Sequence, residues 1–278
     1  MVNVGLEPGL HIVATPIGNL GDLSPRAADT LRNAARILAE DTRVTAKLLA
    51  HIGAKVPMSR YDDHSSDTER ERIVAQLGEQ AFALVSDAGT PLISDPGYKL
   101  VRAARAAGRQ VHTIPGPSAA VAALTLAALP TDRFLFVGFL PAKAKAKAQS
   151  IDELAAIRAT LIFYESGPRL GDTLHVLFGG LGAREAAVVR EISKLHEECV
   201  TGTLAELAAR YADAAPKGEI VIVVGPPVEA AEATEEQLDA ALDEALGRLS
   251  PSRAAAEVAV KLNVARKRAY ARALERAK

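Results

Sequence analysis

The sequence predicts an α/β protein, on three observations. Short apolar runs rich in β-branched residues alternate with longer segments of helical period. The connections between successive runs are long enough for the crossover helices that parallel strands require. With 278 residues, 49% of them hydrophobic and 24% charged, the chain has the length for two domains and a tail and the composition of a packed globular protein.

In chain order, strands are expected at Leu10 to Ala14, Arg36 to Ala39, Ala81 to Val85, Gln110 to Ile114 and Phe134 to Val137. Helices are expected to begin near Ser24, Thr42, Asp67, Asp95 and Pro117. Ser24-Pro25 supplies an N-cap hydroxyl followed by a proline suited to the first helical position, and Pro117-Ser118 is read as a second such opening. These elements make a first domain, residues 1–138. The segment L-P-A-K-A-K-A-K-A-Q-S (Leu140 to Ser150), with its proline and alternating lysines, reads as the domain connection. A second domain, residues 139–227, carries strands near Thr160 to Tyr164, Ala186 to Arg190 and Glu219 to Val224. Residues 228–278 read as an alanine- and glutamate-rich linker and a helical tail: Glu235 to Leu249, Ser252 to Lys261 and Val264 to Ala277, with a break at Leu262-Asn263. From Pro251 onward eight basic residues face two acidic ones, a local surplus in a chain whose net charge is -1.

Several function classes lose ground at this level. Cys199 is the one cysteine, so there is no disulfide framework. Neither G-x-x-x-x-G-K-[ST] nor G-x-G-x-x-G after the first strand is present, which weighs against P-loop and classical dinucleotide chemistry. The six histidines show no zinc-site spacing, so no metal is expected. The first ten residues lack a basic start leading into an apolar stretch, and no apolar run approaches the ~20 residues of a membrane span. A cytoplasmic protein with no membrane partner is expected.

In open α/β sheets ligands bind beyond the carboxyl ends of the strands. Four turns at such positions are rich in glycine, proline and small residues: Thr15 to Asp22, Glu40 to Arg43, L-V-S-D-A-G-T-P-L-I-S-D-P-G (Leu84 to Gly97) and Pro115 to Ala119. Any one of them could be no more than a tight turn. Four together, three of them carrying carboxylates, point to a shared ligand edge.

These turns carry a resemblance. The runs H-I-V-A-T-P-I-G-N-L-G-D-L-S (His11 to Ser24), A-E-D-T-R-V-T-A-K-L-L (Ala39 to Leu49), the Leu84 to Gly97 stretch, I-P-G-P-S-A (Ile114 to Ala119), F-V-G-F-L-P (Phe136 to Pro141), I-F-Y-E-S (Ile162 to Ser166) and K-L-H-E-E (Lys194 to Glu198) resemble the ribosomal RNA small subunit methyltransferase I family, a branch of the tetrapyrrole methylase superfamily. The resemblance covers residues 10 to 225 in order. One departure is Gly167, where the family pattern leads to an expected proline followed by histidine. The resemblance implies two α/β domains of the class III methyltransferase type clasping S-adenosylmethionine in a cleft between them, plus a small helical C-terminal tail, within a homodimer. It implies methylation of the 2′-hydroxyl of a cytidine in small-subunit (16S) ribosomal RNA, as free RNA or in the assembled subunit. Asp87, Ala88, Gly89 and Thr90 would wrap the cofactor, with Ile93 against its apolar face. Pro16, Pro117, Ser118 and Ala119 would complete the first-domain side, and Tyr164, Glu165, Gly218 and Glu219 would face it from the second. Ser94 or Asp95 reads as the N-cap of the next helix.

A ribose hydroxyl needs a general base. Asp41 and Glu165 rank first, because their turns should face the cleft, followed by Glu40 and His64. Arg43 and Lys47, four apart on a helical face, suit phosphate contact, as do Lys143, Lys145 and Lys147 and the tail residues Arg266, Lys267 and Arg268. Two rival readings are a small-molecule methylase of the same superfamily, which would not need the lysine ladder, and a non-catalytic RNA-binding protein, against which the intact Asp87 to Pro91 turn speaks.

Overall fold

The structure, a computed structural model, describes residues 5–227, 233–262 and 264–277. Most of the expected linker, Asn263 of the expected helix break and Lys278 lie outside the described residues. The chain divides into two compact units, one ending at Pro226 and one beginning at Pro227.

The first unit contains two five-stranded sheets. β1 (Gly9–Val13), β2 (Arg36–Ala39), β3 (Met58–Arg60), β4 (Ala81–Val85) and β5 (Val111–Ile114) form one, in the order β3-β2-β4-β1-β5. All its pairings are parallel. β4 lies at the centre and is buried along its whole length, as its unbroken apolar run A-F-A-L-V requires. The period of two sorts its side chains. Ala83 and Val85 join Leu31 of α1 (Pro25–Asn33) and Leu48 of α2 (Thr42–His51) on one face. Phe82 and Leu84 join Ile73 of α3 (Asp67–Gln76) and Leu100 of α4 (Tyr98–Ala106) on the other. Helices therefore cover both faces.

The second sheet, β6 (Phe134–Phe139), β7 (Thr160–Ser166), β8 (Glu185–Arg190), β9 (Glu198–Thr203) and β10 (Glu219–Val224), runs β6-β7-β10-β8-β9 and is mixed. Only β6 and β7 are parallel neighbours. One face packs on α6 (Ala144–Leu154), α7 (Leu170–Leu181) and α8 (Leu204–Arg210) through Leu161, Phe163, Ile220 and Ile222. The other, with Ile162, Val189, Val221 and Val223, receives Ala120, Ala123 and Leu124 of α5 (Ala119–Leu126).

Several expectations change. β6, expected to close the first domain, pairs with β7 and so belongs to the second sheet, with Gly138 (φ 76) at a register shift. The expected connection at Leu140 to Ser150 is largely helix α6. Its alternating lysines gave no apolar stripe, yet Lys147 is buried and ion-paired. α4 begins at Tyr98 behind Gly97, so neither Ser94 nor Asp95 caps it. Gly97 has φ 130, and a Cβ there would lie 2.7 Å from Leu84 Cδ2, which forces glycine at the helix entry. Pro117 precedes the N-cap Ser118 rather than opening the helix. The Ala120 amide is met instead by Tyr164 Oη at 3.2 Å. The edge strands β3 and β9 bury too little to leave an apolar run, and the sequence did not reveal them.

The second unit is a three-helix cluster: α9 (Glu235–Leu246), α10 (Pro251–Lys261) and α11 (Arg266–Arg276). Leu238, Leu242, Val258 and several alanines form its core. Arg272 makes a bidentate pair with Asp239, at 2.7 Å for each contact, and Arg276 pairs with Asp243 at 2.6 and 2.5 Å. Two of the basic residues in the tail therefore fasten α11 to α9. Among the described residues no helix is long and apolar enough to cross a membrane.

Candidate active site

The carboxyl ends of β1, β2, β4 and β5 meet at one edge, and hydrogen bonds between their loops fix it. Thr15, after β1, pairs with Gly89, after β4, through N–H to C=O bonds of 2.8 and 3.1 Å. Thr90 Oγ1 donates to the Pro117 carbonyl at 3.1 Å, tying in the loop after β5. The Asp41 amide donates to Asp87 Oδ1 at 3.0 Å, tying in the loop after β2. Two glycines are required here. Gly89 has φ 76, in the left-handed region, and a Cβ on Gly116 would lie 2.9 Å from Ala14 Cβ.

Opposite stands the second sheet. Tyr164 of β7, the start of β10 and the loop after β8 close a cavity of about 240 Å³ against the first-sheet loops. β8 and β10 are antiparallel, so the end of one strand and the start of the other share this edge. The loop after β8 is held in place from both sides. Ser193 Oγ donates to Asp22 of the first-sheet side, and Gly18 leaves room for the Lys194 stem, which would lie 2.6 Å from a Cβ there.

Six acidic residues line this cavity; Glu165 and Glu191 are paired with Arg169 and Lys194, which leaves Glu40, Asp87, Asp95 and Glu219 without an ion-pair partner among the described residues. Burial raises the proton affinity of Glu40, and the charges of Asp95 and Asp87 raise it further. Burial likewise raises Asp95, and Asp87 and Glu219 add to it against the opposing bond from Ser86. Lys194 is the one basic residue of the lining, and Glu191 holds it at 3.0 Å. Among the described residues no group of three or more His, Cys, Asp or Glu is arranged to hold a metal ion.

The structure brings many of the expected cofactor residues together. Asp87, Ala88, Gly89, Thr90, Ile93, Ser118, Ala119, Tyr164, Glu165 and Glu219 all line the cavity, and so does Glu40. Pro16, Pro117 and Gly218 do not; Pro117 contributes its carbonyl to Thr90.

Of the expected bases, Asp41 is the N-cap of α2 and is bound by Arg43, whose guanidinium and backbone amide hold its carboxyl down to about 2. His64 is exposed in the turn after β3 and lies outside the lining. Glu165 borders the cavity but follows cavity-facing Tyr164 on the strand, and its carboxylate is engaged on the opposite face. There it accepts from Thr173 Oγ1 at 2.7 Å and the Ser166 amide at 2.8 Å, and it lies 3.3 Å from Arg169 Nε. It is 2% exposed. That is the environment of an anchor between β7 and α7. Glu165→Gln is therefore expected to destabilise the fold by about 1–3 kcal/mol, because it disturbs a buried charged hydrogen-bond set. The single-turnover rate of the folded variant should stay near the parent's. Thermal melting and a rate corrected for folded fraction check this.

Lys147, expected to face RNA, is 3% exposed and pairs with Asp172 at 2.6 Å. Arg43 is exposed but engaged by Asp41. Lys47, Lys143, Lys145, Arg266 and Lys267 are exposed, and Arg268 is half-buried. Sequence reasoning missed Asp95 as a cavity residue, having given it a capping role, and it missed the Glu191 to Lys194 loop. The loop had a usable signal, since E-I-S-K (Glu191 to Lys194) directly follows an apolar strand.

Comparison with known proteins identifies the family. The family described as "Tetrapyrrole (Corrin/Porphyrin) Methylases" matches residues 9–208, and the "RsmI C-terminal HTH domain" matches residues 232–277. A ribosomal RNA small subunit methyltransferase I from Erythrobacter litoralis is 56% identical over 271 residues, 97% of this chain and 96% of the relative. One from Xylella fastidiosa is 50% identical over 261 residues, covering 90% and 95%. Among solved structures, a diphthine synthase aligns with a TM-score of 0.61 at 14% identity, over 78% of this chain and 89% of its own. The uroporphyrin-III-C-methyltransferase of Thermus thermophilus aligns at 0.57 and 21%, over 79% and 94%. These two speak for the fold alone. With identity of this order along nearly its full length, the chain belongs to the ribosomal RNA small subunit methyltransferase I family, tetrapyrrole methylases in fold and S-adenosylmethionine-dependent in chemistry.

Proposed function

We propose that the chain methylates small-subunit ribosomal RNA, and that the atom methylated is the 2′-oxygen of a cytidine ribose. The relatives' shared name supports the RNA substrate. The observation that carries the ribose reading is Glu40, a cavity carboxylate with raised proton affinity and no ion-pair partner among the described residues. A hydroxyl is a poor nucleophile until it loses its proton, and a base titrating nearer neutrality than an ordinary carboxylate is suited to taking it.

The cavity fits the cofactor in its chemistry. Bound there, S-adenosylmethionine would supply an electrophilic methyl carbon on a positively charged sulfur. Asp87, Glu219 and the Thr90 hydroxyl offer acceptors, Gly89 offers close backbone approach, and Ile93, Ala119 and Tyr164 offer apolar and ring surface. The cavity, about 240 Å³, is slightly below the ~300 Å³ at which small-molecule sites begin, and its lining offers contacts that would position a ligand. Such positioning can supply roughly 7–11 kcal/mol of a displacement barrier. In this reading the enzyme works in the cytoplasm as a homodimer, with exposed Val121, Phe134 and Phe139 as apolar surface available to a second copy. The organisation read from the sequence is retained as two α/β domains and a tail, with the first boundary moved ahead of β6.

The test is methylation of small-subunit RNA and of assembled subunits from cells lacking the protein, followed by mapping of alkali-resistant ribose positions. Methyl groups found only on bases, or on a small molecule and not on RNA, would overturn the reading.

The tail is proposed to contact RNA phosphates. With Arg272 and Arg276 committed to α9, exposed Arg266 and Lys267 at the start of α11 become the leading contacts. Arg266→Ala/Lys267→Ala is expected to weaken RNA binding and to reduce the salt slope by about 0.7–0.9 for each phosphate that is no longer neutralised, with cofactor affinity unchanged. Filter binding at several salt concentrations checks it, and an unchanged slope would assign both residues to the solvated surface.

A further inference from the structure

Glu40, Asp87, Asp95 and Glu219 share one cavity, and none has an ion-pair partner among the described residues. Their fields overlap: Asp95 and Asp87 act on Glu40, and Asp87 and Glu219 act on Asp95. The other charges around them do not offset the excess. Lys194 is paired with Glu191, Arg169 with Glu165 and Arg43 with Asp41, although Arg43 also attracts Asp87; Asp62, itself 3.3 Å from Arg60, adds to the negative field at Glu40. Like charges held together without partners raise the free energy of the empty cleft, and a cation placed among them relieves it.

We infer that these four carboxylates select the cofactor by charge, favouring the cationic sulfonium over the neutral thioether that remains once the methyl group has left. The inference rests on the reading that this cleft holds S-adenosylmethionine. Donor and product, S-adenosylhomocysteine, share the adenosine and the amino acid and differ by one methyl and one positive charge. Apolar contacts in the cavity distinguish them weakly; the carboxylates distinguish them by the quantity that the reaction changes. Methyl transfer thus removes the charge that the wall was arranged to hold, and the spent cofactor is bound less firmly than the one that replaces it. A second consequence concerns protons. A cation entering the cleft stabilises the ionised carboxylates, so its binding releases protons at pH values where Glu40 and Asp95 are partly protonated. Neutral product releases fewer.

The experiment is titration calorimetry of the full-length protein with S-adenosylmethionine, S-adenosylhomocysteine and sinefungin, which carries an amine in place of the sulfonium. Near neutral pH both cationic ligands are expected to bind about tenfold or more tightly than the thioether. Asp95→Asn is expected to shrink that ratio about threefold or more, mainly by weakening the cations. Glu219→Gln serves as an independent variant. On the unmodified protein, heats measured at mildly acidic pH in buffers of different ionisation enthalpy should show more protons released with the cations than with the thioether. Equal affinities and equal proton release for donor and product would overturn the inference while leaving the cleft as the cofactor site. No binding of any of the three would overturn both.

Discussion

Gly89→Val is expected to weaken S-adenosylmethionine binding by more than about a hundredfold, a loss of roughly 2.7 kcal/mol or more. Two effects combine. At φ 76 the backbone of Gly89 lies where a β-branched residue is strained, at a cost on the order of 1–3 kcal/mol. The strain falls on the residue whose N–H and C=O pair with Thr15, so the loops after β1 and β4 would be drawn out of register with each other. A Cβ alone would lie 3.4 Å from Ile17 Cγ2 and 3.8 Å from the Pro117 carbonyl, which is ordinary contact. The two further methyls of valine have no such room reserved, and Ile17 is part of the cavity wall. Gly89→Ala separates the contributions, since it carries the φ penalty without the extra bulk and should fall between parent and valine. Calorimetric titration with thermal melting of each variant checks this. A folded Gly89→Val protein of unchanged affinity would remove the cofactor from this turn.

What the sequence revealed of the fold followed burial. β2, β4 and β10 were placed to the residue because each is an apolar run whose ends coincide with polar or turn residues. β3 and β9 escaped because an edge strand pairs through its backbone and need not be apolar. α6 escaped because its one inward lysine is neutralised by Asp172 on the neighbouring helix, a partner visible only in three dimensions. The site divides in the same manner. Its first-sheet half was legible because parallel strands present all their carboxyl ends to one edge, and glycine and proline mark the turns there. In its second-sheet half Tyr164 was named through the resemblance, whereas the loop at Glu191, although it directly follows β8, was not examined as a strand end. Glu165 shows the limit most plainly: adjacent residues on a strand face opposite ways, and a motif containing both does not say which one meets the ligand.

That limit decides the last prediction. Glu40→Gln is expected to lower the single-turnover rate of RNA methylation by about 10²–10⁴, while cofactor affinity changes only a few fold. Asp41→Asn should fall well short of this, although Asp41 is the neighbouring residue and the sequence ranked it higher. Held near 2 by Arg43, Asp41 is a weak base and already serves to cap α2. Glu40 lies in the cavity wall, where burial and the charges of Asp95 and Asp87 raise its affinity for the proton it would take. The pH profile separates the two. A base must be ionised to act, so kcat/KM should fall as pH drops through the titration of Glu40 in the free cleft, and its raised proton affinity there places that fall above the range of an ordinary carboxylate. Asp41 would stay ionised throughout that window and could produce no such fall. In Glu40→Gln the residual activity should lose this acidic limb, whereas Asp41→Asn should keep it. Asp95→Asn removes one of the charges acting on Glu40 and should move the limb to lower pH without abolishing it. If Glu40→Gln methylates at the parent rate and keeps the limb, the proton is taken by another group.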